Sequence, residues 1–406
     1  MNPTGADQHD GRAGPFPLEG VRVLDLSQAV SGPYVGRILS DLGADVVKVE
    51  WENPDITNVF GERIAGISGL YTQMNAGKRA VAIDHRNEAG ADLVARLASR
   101  AEVVLENFRP GVLERAGLGF EVLSEQNPSL VMLSISGFGR SGPESGRAAF
   151  APVIHAESGL LLRQAEFDGR KPTDLGIALA DTIAALHGVI AVMAAMRVVA
   201  QTGRGQHIDL GMLQAMVASD DFTHAAIDGV ERLYPSRGEP FEVVGGPIMI
   251  AADAKTLWMR FVDHTGETDP APAGAELPQK VAARRACIAG WLASFTDRGA
   301  LLSQLDEAGL PWADLRSHRD VLDSPTLRDG AVAQVDDHTG GTRGVIRMPY
   351  RFSGAASEPG GAAPQRGQHN HEVLAEWLGL SGEDVESLRC AGAFVDPEHA
   401  PAEGAS

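Results

Sequence analysis

The sequence predicts an α/β protein: a large domain built on an open, mostly parallel, Rossmann-like sheet, with a smaller α+β domain. Three observations carry this. Five short apolar runs alternate with helical segments before residue 140. The connections between them are short, which favours parallel pairing with right-handed crossovers. After residue 225 prolines and short elements take over. The expected layout is a first part of the large domain at 18–220, a small domain at 225–330 and a return to the large domain at 331–396. The segments 1–17 and 397–406 are expected to be disordered tails.

In chain order, Gly20–Ser27 reads as a buried strand, and Ser31-Gly32-Pro33 as a turn with Pro33 placed to begin a helix ending near Leu42. Gly43 closes that helix, and Asp45–Glu50 is the second strand. No G-x-G-x-x-G follows the first strand, so the dinucleotide reading is weak. Lys78–Asp84 is a strand with two cations at its start. Asn87–Ala101 has the apolar spacing of an amphipathic helix, with Ala91, Leu93, Val94 and Leu97 on one side. Glu102–Asn107 is a strand, Pro110–Gln126 is helical with an interruption at Gly117, and Ser129–Ser136 is a further strand. A long apolar helix runs to about Ala200, and the glycines of Gly203-Arg204-Gly205 end it before a strand at 206–210. In the small domain a strand is expected at 248–250, after the loop Gly245-Gly246-Pro247, with helices near 279–296 and 299–308. Gly344–Met348 is a strand, 354–368 a surface strap and 371–391 helical.

Composition narrows the function. The 406 residues are 44% hydrophobic and 22% charged, as in ordinary globular proteins. The net charge of −19 argues against a general grip on nucleic acid or anionic membrane. Cys287 and Cys390 lack metal-type spacing, so no metal site is expected and free thiols in a reducing cytoplasm are. The first 20 residues show no secretory signal pattern. No stretch of about 18 residues is free of polar interruption, the nearest being 175–200 with Asp181, His187 and Arg197.

In open parallel sheets ligands lie beyond the carboxyl ends of the strands. Those ends supply Arg86, Arg109, Arg140 and, in the following helix, Arg115: cations for a phosphate-bearing ligand. Asp181 is the only acidic residue between Asp174 and Asp209, and it opens the long apolar helix. On spacing alone it is either a helix N-cap or a nucleophile held ionised by helix N–H groups.

Several motifs together resemble the class III CoA-transferase (CaiB/BaiF) family. They are Gly20–Ser27, Gly32-Pro33, Asp41–Glu50, Glu106-Asn107-Phe108-Arg109-Pro110-Gly111-Val112-Leu113, Asn127-Pro128, Ser134–Gly139, Thr202–His207 and Gly367–Leu374. The resemblance implies an interlocked homodimer of ring-shaped chains, with acyl-CoA and a free carboxylic acid as substrates. It makes Asp181, in Gly176-Ile177-Ala178-Leu179-Ala180-Asp181, the nucleophile that attacks the thioester and passes CoA on through an aspartyl thioester. It places CoA contacts on Val30 and Ser31, on Ile83, Asp84, His85 and Arg86, on Asn107, Phe108 and Arg109, on Arg115, and on Arg147, Ala148 and Phe150. The chain departs from the family pattern at Trp51, where many members carry Arg and where the indole could stack on adenine, at Phe150-Ala151 in place of a Tyr-acid pair, and in a partial glycine loop at Gly245-Gly246. Two alternatives stay open at this point. One is an α-methylacyl-CoA racemase-like isomerase, for which Phe150 stands where the partner His is expected. The other is a CoA-binding protein without transfer chemistry.

Overall fold

The computed structural model describes residues 14–51, 53–84, 86–230 and 238–395. It divides into two compact units: the chain up to Asp221 together with the segment from Gly330 onward, and Phe222–Asp329.

The larger unit is organised by six strands, β1 (Arg22–Asp25), β2 (Asp45–Glu50), β3 (Arg79–Ala82), β4 (Val103–Glu106), β5 (Val131–Ser136) and β6 (Gln206–Gly211). They lie in the order β3-β2-β1-β4-β5-β6, every adjacent pair parallel. All carboxyl ends therefore share one edge, and the order reverses between β1 and β4. Connections leave that point in opposite directions and open a crevice there.

The strands are near-continuous Val, Leu and Ile because helices cover both faces. Alternation sorts their side chains between two cores. Val23, Val46, Val103, Leu105, Val131, Leu133 and Ile135 point to the face covered by α1 (Ser31–Asp41), α3 (Ala151–Glu157) and α4 (Leu179–Thr202). Leu24, Leu26, Val47, Val49, Val81, Val104 and Met132 point to the other, covered by α2 (Glu88–Ala98) and by α5 (Asn370–Leu378), which contributes Val373, Leu374 and Trp377. The helical 371–391 segment is two helices, because Gly379 adopts φ 68° and ends α5 before Gly382–Cys390.

The two cations at the start of β3 do not face a ligand. Lys78 is fully buried, 2.8 Å from the Asp25 carboxylate, and Arg79 is taken up by Asp45, Glu372 and Glu376. A second buried pair, Lys48–Asp55 at 3.1 Å, lies beneath the carboxyl edge.

The smaller unit has its own core around Phe241, Ile248, Ile250, Leu257, Phe261, Leu292, Leu301 and Leu305. Its antiparallel three-stranded sheet, Glu239–Phe241, Ile248–Ile250 and Trp312–Asp314, carries helices at Ala254–Thr265, Leu277–Ala293 and Arg298–Glu307. The first of these helices has no counterpart in the sequence expectation.

Candidate active site

Helix α4 is apolar on all sides, so its pattern alone selects no buried face. Its seat is set by Gly188, where an added Cβ would stand 2.9 Å from Leu133 Cδ2 and 3.1 Å from Val35 Cγ2. A glycine at this contact lets the helix close onto the sheet and α1.

The start of α4 is fixed from outside. Ala178 occupies the N-cap with no side-chain cap, which corrects the expectation that Asp181 caps the helix. His155 on α3 does that work: fully buried, it accepts the Ala180 N–H on Nε2 at 3.1 Å. With Nε2 accepting, Nδ1 carries the proton and donates to Asp174 at 2.9 Å. That bond holds the Asp174 carboxyl below its ordinary range. His155 is thus spent on the backbone and on Asp174, which leaves it no proton to exchange with a substrate.

Asp181 follows in the first turn of α4, half-buried. Burial is the largest influence on its carboxyl and raises its pKa above the ordinary value. The hydroxyl and backbone N–H of Ser31 oppose the rise. Sequence reasoning credited helix N–H groups with keeping Asp181 ionised; desolvation outweighs them. The opposing donors come from a different helix, because Ser31 is the first residue of α1 and its N–H has no partner within that helix.

The loop from β1 to α1 that carries Ser31 is held at every step. Asn107, just past β4, accepts the Gln28 N–H at 2.8 Å and donates to the Gln28 carbonyl at 2.7 Å and to Ser31 Oγ at 3.1 Å. Lys48 donates to the Ser27 carbonyl at 2.9 Å. The Ala29 N–H reaches the Asp55 carboxylate at 3.3 Å, with Ala29 at φ 63°, a conformation most non-glycine residues avoid. Gly32 lies against the Ser27 side chain, where a Cβ would collide with it.

The remaining expected site residues divide. Val30 is half-buried at the N-cap of α1. Ile83 is 1% exposed, inside the core. Asp84 accepts the Arg86 N–H, and the Arg86 guanidinium is exposed 3.7 Å from the same carboxylate. His85 lies outside the described residues. Phe108 is partly buried, its ring edge-on to Trp51 at 6.0 Å. Arg109 and Arg115 are exposed, and no carboxylate among the described residues pairs with either. Arg140 is bound to Glu106 and Glu114, and Arg147 to Glu144 and Glu157 while lying over the Phe138 ring. Neither matches the expectation of a cation waiting for phosphate, because carboxylates claim both. Ala148 is exposed, and Phe150 stands 69% exposed at the start of α3. Trp51 is 5% exposed, its indole N–H on the Leu26 carbonyl at 3.1 Å, so it is a core residue rather than a stacking platform. Sequence reasoning missed Asp55, whose signal is Asp55-Ile56-Thr57: the carboxylate accepts the N–H and hydroxyl of Thr57. It also missed Arg366, which donates to the Trp51 carbonyl at 2.8 Å and brings a cation from the C-terminal strap to the sheet's carboxyl edge.

Among the described residues no cluster has the makings of a metal site. The arrangement offers a desolvated carboxylate at one edge of a crevice and exposed arginines along the same edge. A carboxylate so placed can attack an activated acyl group, and the arginines suit phosphates.

Comparison with known proteins agrees with this chemistry. The model of CoA-transferase family III matches residues 18–370. Succinyl-CoA--D-citramalate CoA-transferase of Chloroflexus aurantiacus is 31% identical, over 92% of this chain and 97% of its own. Succinyl-CoA:mesaconate CoA-transferase of Haloarcula hispanica is 31% identical, over 91% and 99%. The crystal structure of a CaiB/BaiF family protein from Brucella suis superposes with a TM-score of 0.75 at 30% identity, covering 89% of this chain and all of that one.

Proposed function

The chain belongs to CoA-transferase family III and is a CoA-transferase, and we propose that it moves CoA from an acyl-CoA thioester to a free carboxylic acid through a covalent intermediate on Asp181. The observation that carries this reading is the half-buried carboxylate in the first turn of α4, a helix that packs on the sheet and α1.

Asp181 attacks the thioester carbonyl, the C–S bond breaks, and a mixed aspartyl anhydride and CoA thiolate result. The thiolate attacks the aspartyl carbonyl and releases the first acid as its carboxylate. The incoming carboxylate then attacks the aspartyl thioester, and thiolate return to its acyl carbon yields the new acyl-CoA and free Asp181. Each step exchanges one acyl bond for another, so the protein must exclude water rather than supply protons. Partial burial of Asp181 serves that end and strengthens the nucleophile by desolvation. CoA phosphates would be met by Arg86, Arg109 and Arg115, the exposed cations along the carboxyl edge.

The relatives' succinyl donors point to a dicarboxylic acyl chain for this enzyme as well. A homodimer is supported by α4: Leu186, Ile190, Met193 and Val198 form an exposed apolar side on a helix long and apolar enough to cross a membrane by length and composition. The opposite side, with Ala180, Ala184, Ala185, Val192 and Ala195, packs into the sheet's core, which suits burial against a second chain better than against lipid.

The test is transfer from succinyl-CoA to a panel of free dicarboxylic, aromatic and branched acids, followed by separation of the CoA thioesters. The expected result is a new thioester with dicarboxylic acceptors and none with Asp181→Asn, whose CoA affinity stays within about threefold. Transfer that survives Asp181→Asn, or none with any acid, would refute the reading.

A further inference from the structure

The helix Leu160–Asp168, which follows α3, ends on Gly169 at φ 62°, with the Arg170 N–H on the Ala165 carbonyl at 3.0 Å. Beyond that turn, residues 170–175 and the helix together line a cavity of about 360 Å³, within the size range of small-molecule sites. Leu161, Ala165 and Leu175 give it an apolar wall. The Asp168 carboxylate at its edge accepts from Gln164 Nε2 at 2.9 Å. Arg170 and Lys171 also line it, and no carboxylate among the described residues pairs with either. In a chain where 54 acidic side chains outnumber 35 basic ones, that leaves two adjacent cations for an anion from outside. Among the described residues no main-chain hydrogen bond ties 171–176 to the rest of the chain. The anchor of this segment is the Asp174 carboxylate, which lines the same cavity and accepts from His155 Nδ1 at 2.9 Å. His155 Nε2 in turn holds the Ala180 N–H at 3.1 Å, one residue before Asp181.

We propose that this cavity is a regulatory site for a small free carboxylic acid, whose carboxylate pairs with Arg170 and Lys171 while its hydrocarbon lies on Leu161, Ala165 and Leu175. The planar fork of arginine takes a carboxylate through two parallel N–H···O bonds, and lysine adds a point charge. The apolar wall favours an acid with a carbon chain over bare phosphate. Bound acid ties the 170–175 segment to the helix and keeps Asp174 on His155, so the first turn of α4 opens less often. Free acids are also what CoA transfer consumes and releases, so the cavity couples their supply to the turn that carries Asp181. That consequence for catalysis rests on the aspartyl-intermediate reading above; binding of the acid and its effect at Ala180 do not.

Hydrogen exchange of the 176–182 peptide in the full chain, with and without succinate, tests this. Arg170→Glu/Lys171→Glu reverses both cations at exposed positions, where the fold tolerates substitution. Calorimetry of the wild type against that variant gives the Kd of the cavity, because binding elsewhere is common to both. At ten times that Kd, succinate is expected to slow exchange of the Ala180 N–H about tenfold, since opening is suppressed by the factor 1 + [L]/Kd. Asp181→Asn should show the same slowing, and Arg170→Glu/Lys171→Glu should show none. Asp174→Ala should keep the heat of binding and lose the slowing, because the link to His155 is gone. Slowing that persists in Arg170→Glu/Lys171→Glu, slowing of equal size with inorganic phosphate, or none with succinate would overturn the proposal. Mapping with acyl-CoA and hydroxylamine separates the two levels: no hydroxamate at position 181 with the slowing intact defeats the aspartyl reading and leaves the acid site standing.

Discussion

On the proposed mechanism, a carboxyl that must be ionised to attack, yet is half-buried, sets the pH behaviour of the enzyme. Burial raises the Asp181 pKa above its ordinary value, so the acid limb of transfer should lie at higher pH than for a solvent-exposed aspartate. The sign for stability runs the other way. A carboxyl whose folded pKa is raised favours the folded state only while protonated, and that contribution is lost as pH rises through the folded value. Asp181→Asn should therefore raise Tm more at pH 7.5 than at pH 4. Thermal unfolding at the two pH values checks this; equal shifts at both would show that the asparagine acts by packing. Asp181 stood out as a candidate from its isolation at the head of an apolar run, while the nucleophile's role came from the family resemblance. Ser31's part was not, because the partner that fixes its hydroxyl, Asn107, is 76 residues away.

At the scale of the element, α4 depends on a neighbour for its start. The Asp174–His155–Ala180 chain replaces the missing N-cap, and Asp181 is the next residue after the one it holds. His155→Ala should cost about 2 kcal/mol or more, combining a lost cap with a cavity at a fully buried site, and should lower kcat more than it raises KM. Denaturant unfolding and steady-state rates check both; full activity with reduced stability would separate the helix start from catalysis. The strand and helix positions of the large unit were readable from local periodicity and turn glycines. Buried charges broke that reading. Lys48, Lys78 and Asp55 look like surface residues until the fold buries them as ion pairs, and pairing with carboxylates took Arg140 and Arg147 out of the set of free cations.

For the whole molecule, the sheet order was beyond local pattern, since strand order is decided by crossovers that sequence does not spell out. It matters because the reversal between β1 and β4 is what brings the 27–31 loop and Asn107 together. The apolar side of α4 is a second whole-molecule feature. Ile190, 66% exposed, is the residue to change: Ile190→Asp should reduce the dimer fraction seen by light scattering at micromolar protein, and an unchanged mass would place the subunit contact elsewhere. The central claim is that CoA passes through Asp181. Its most direct test is incubation with succinyl-CoA and hydroxylamine followed by peptide mass mapping. The account predicts a hydroxamate on Asp181, absent without acyl-CoA and absent in Asp181→Asn. An unmodified Asp181 in enzyme that is actively transferring CoA would contradict it.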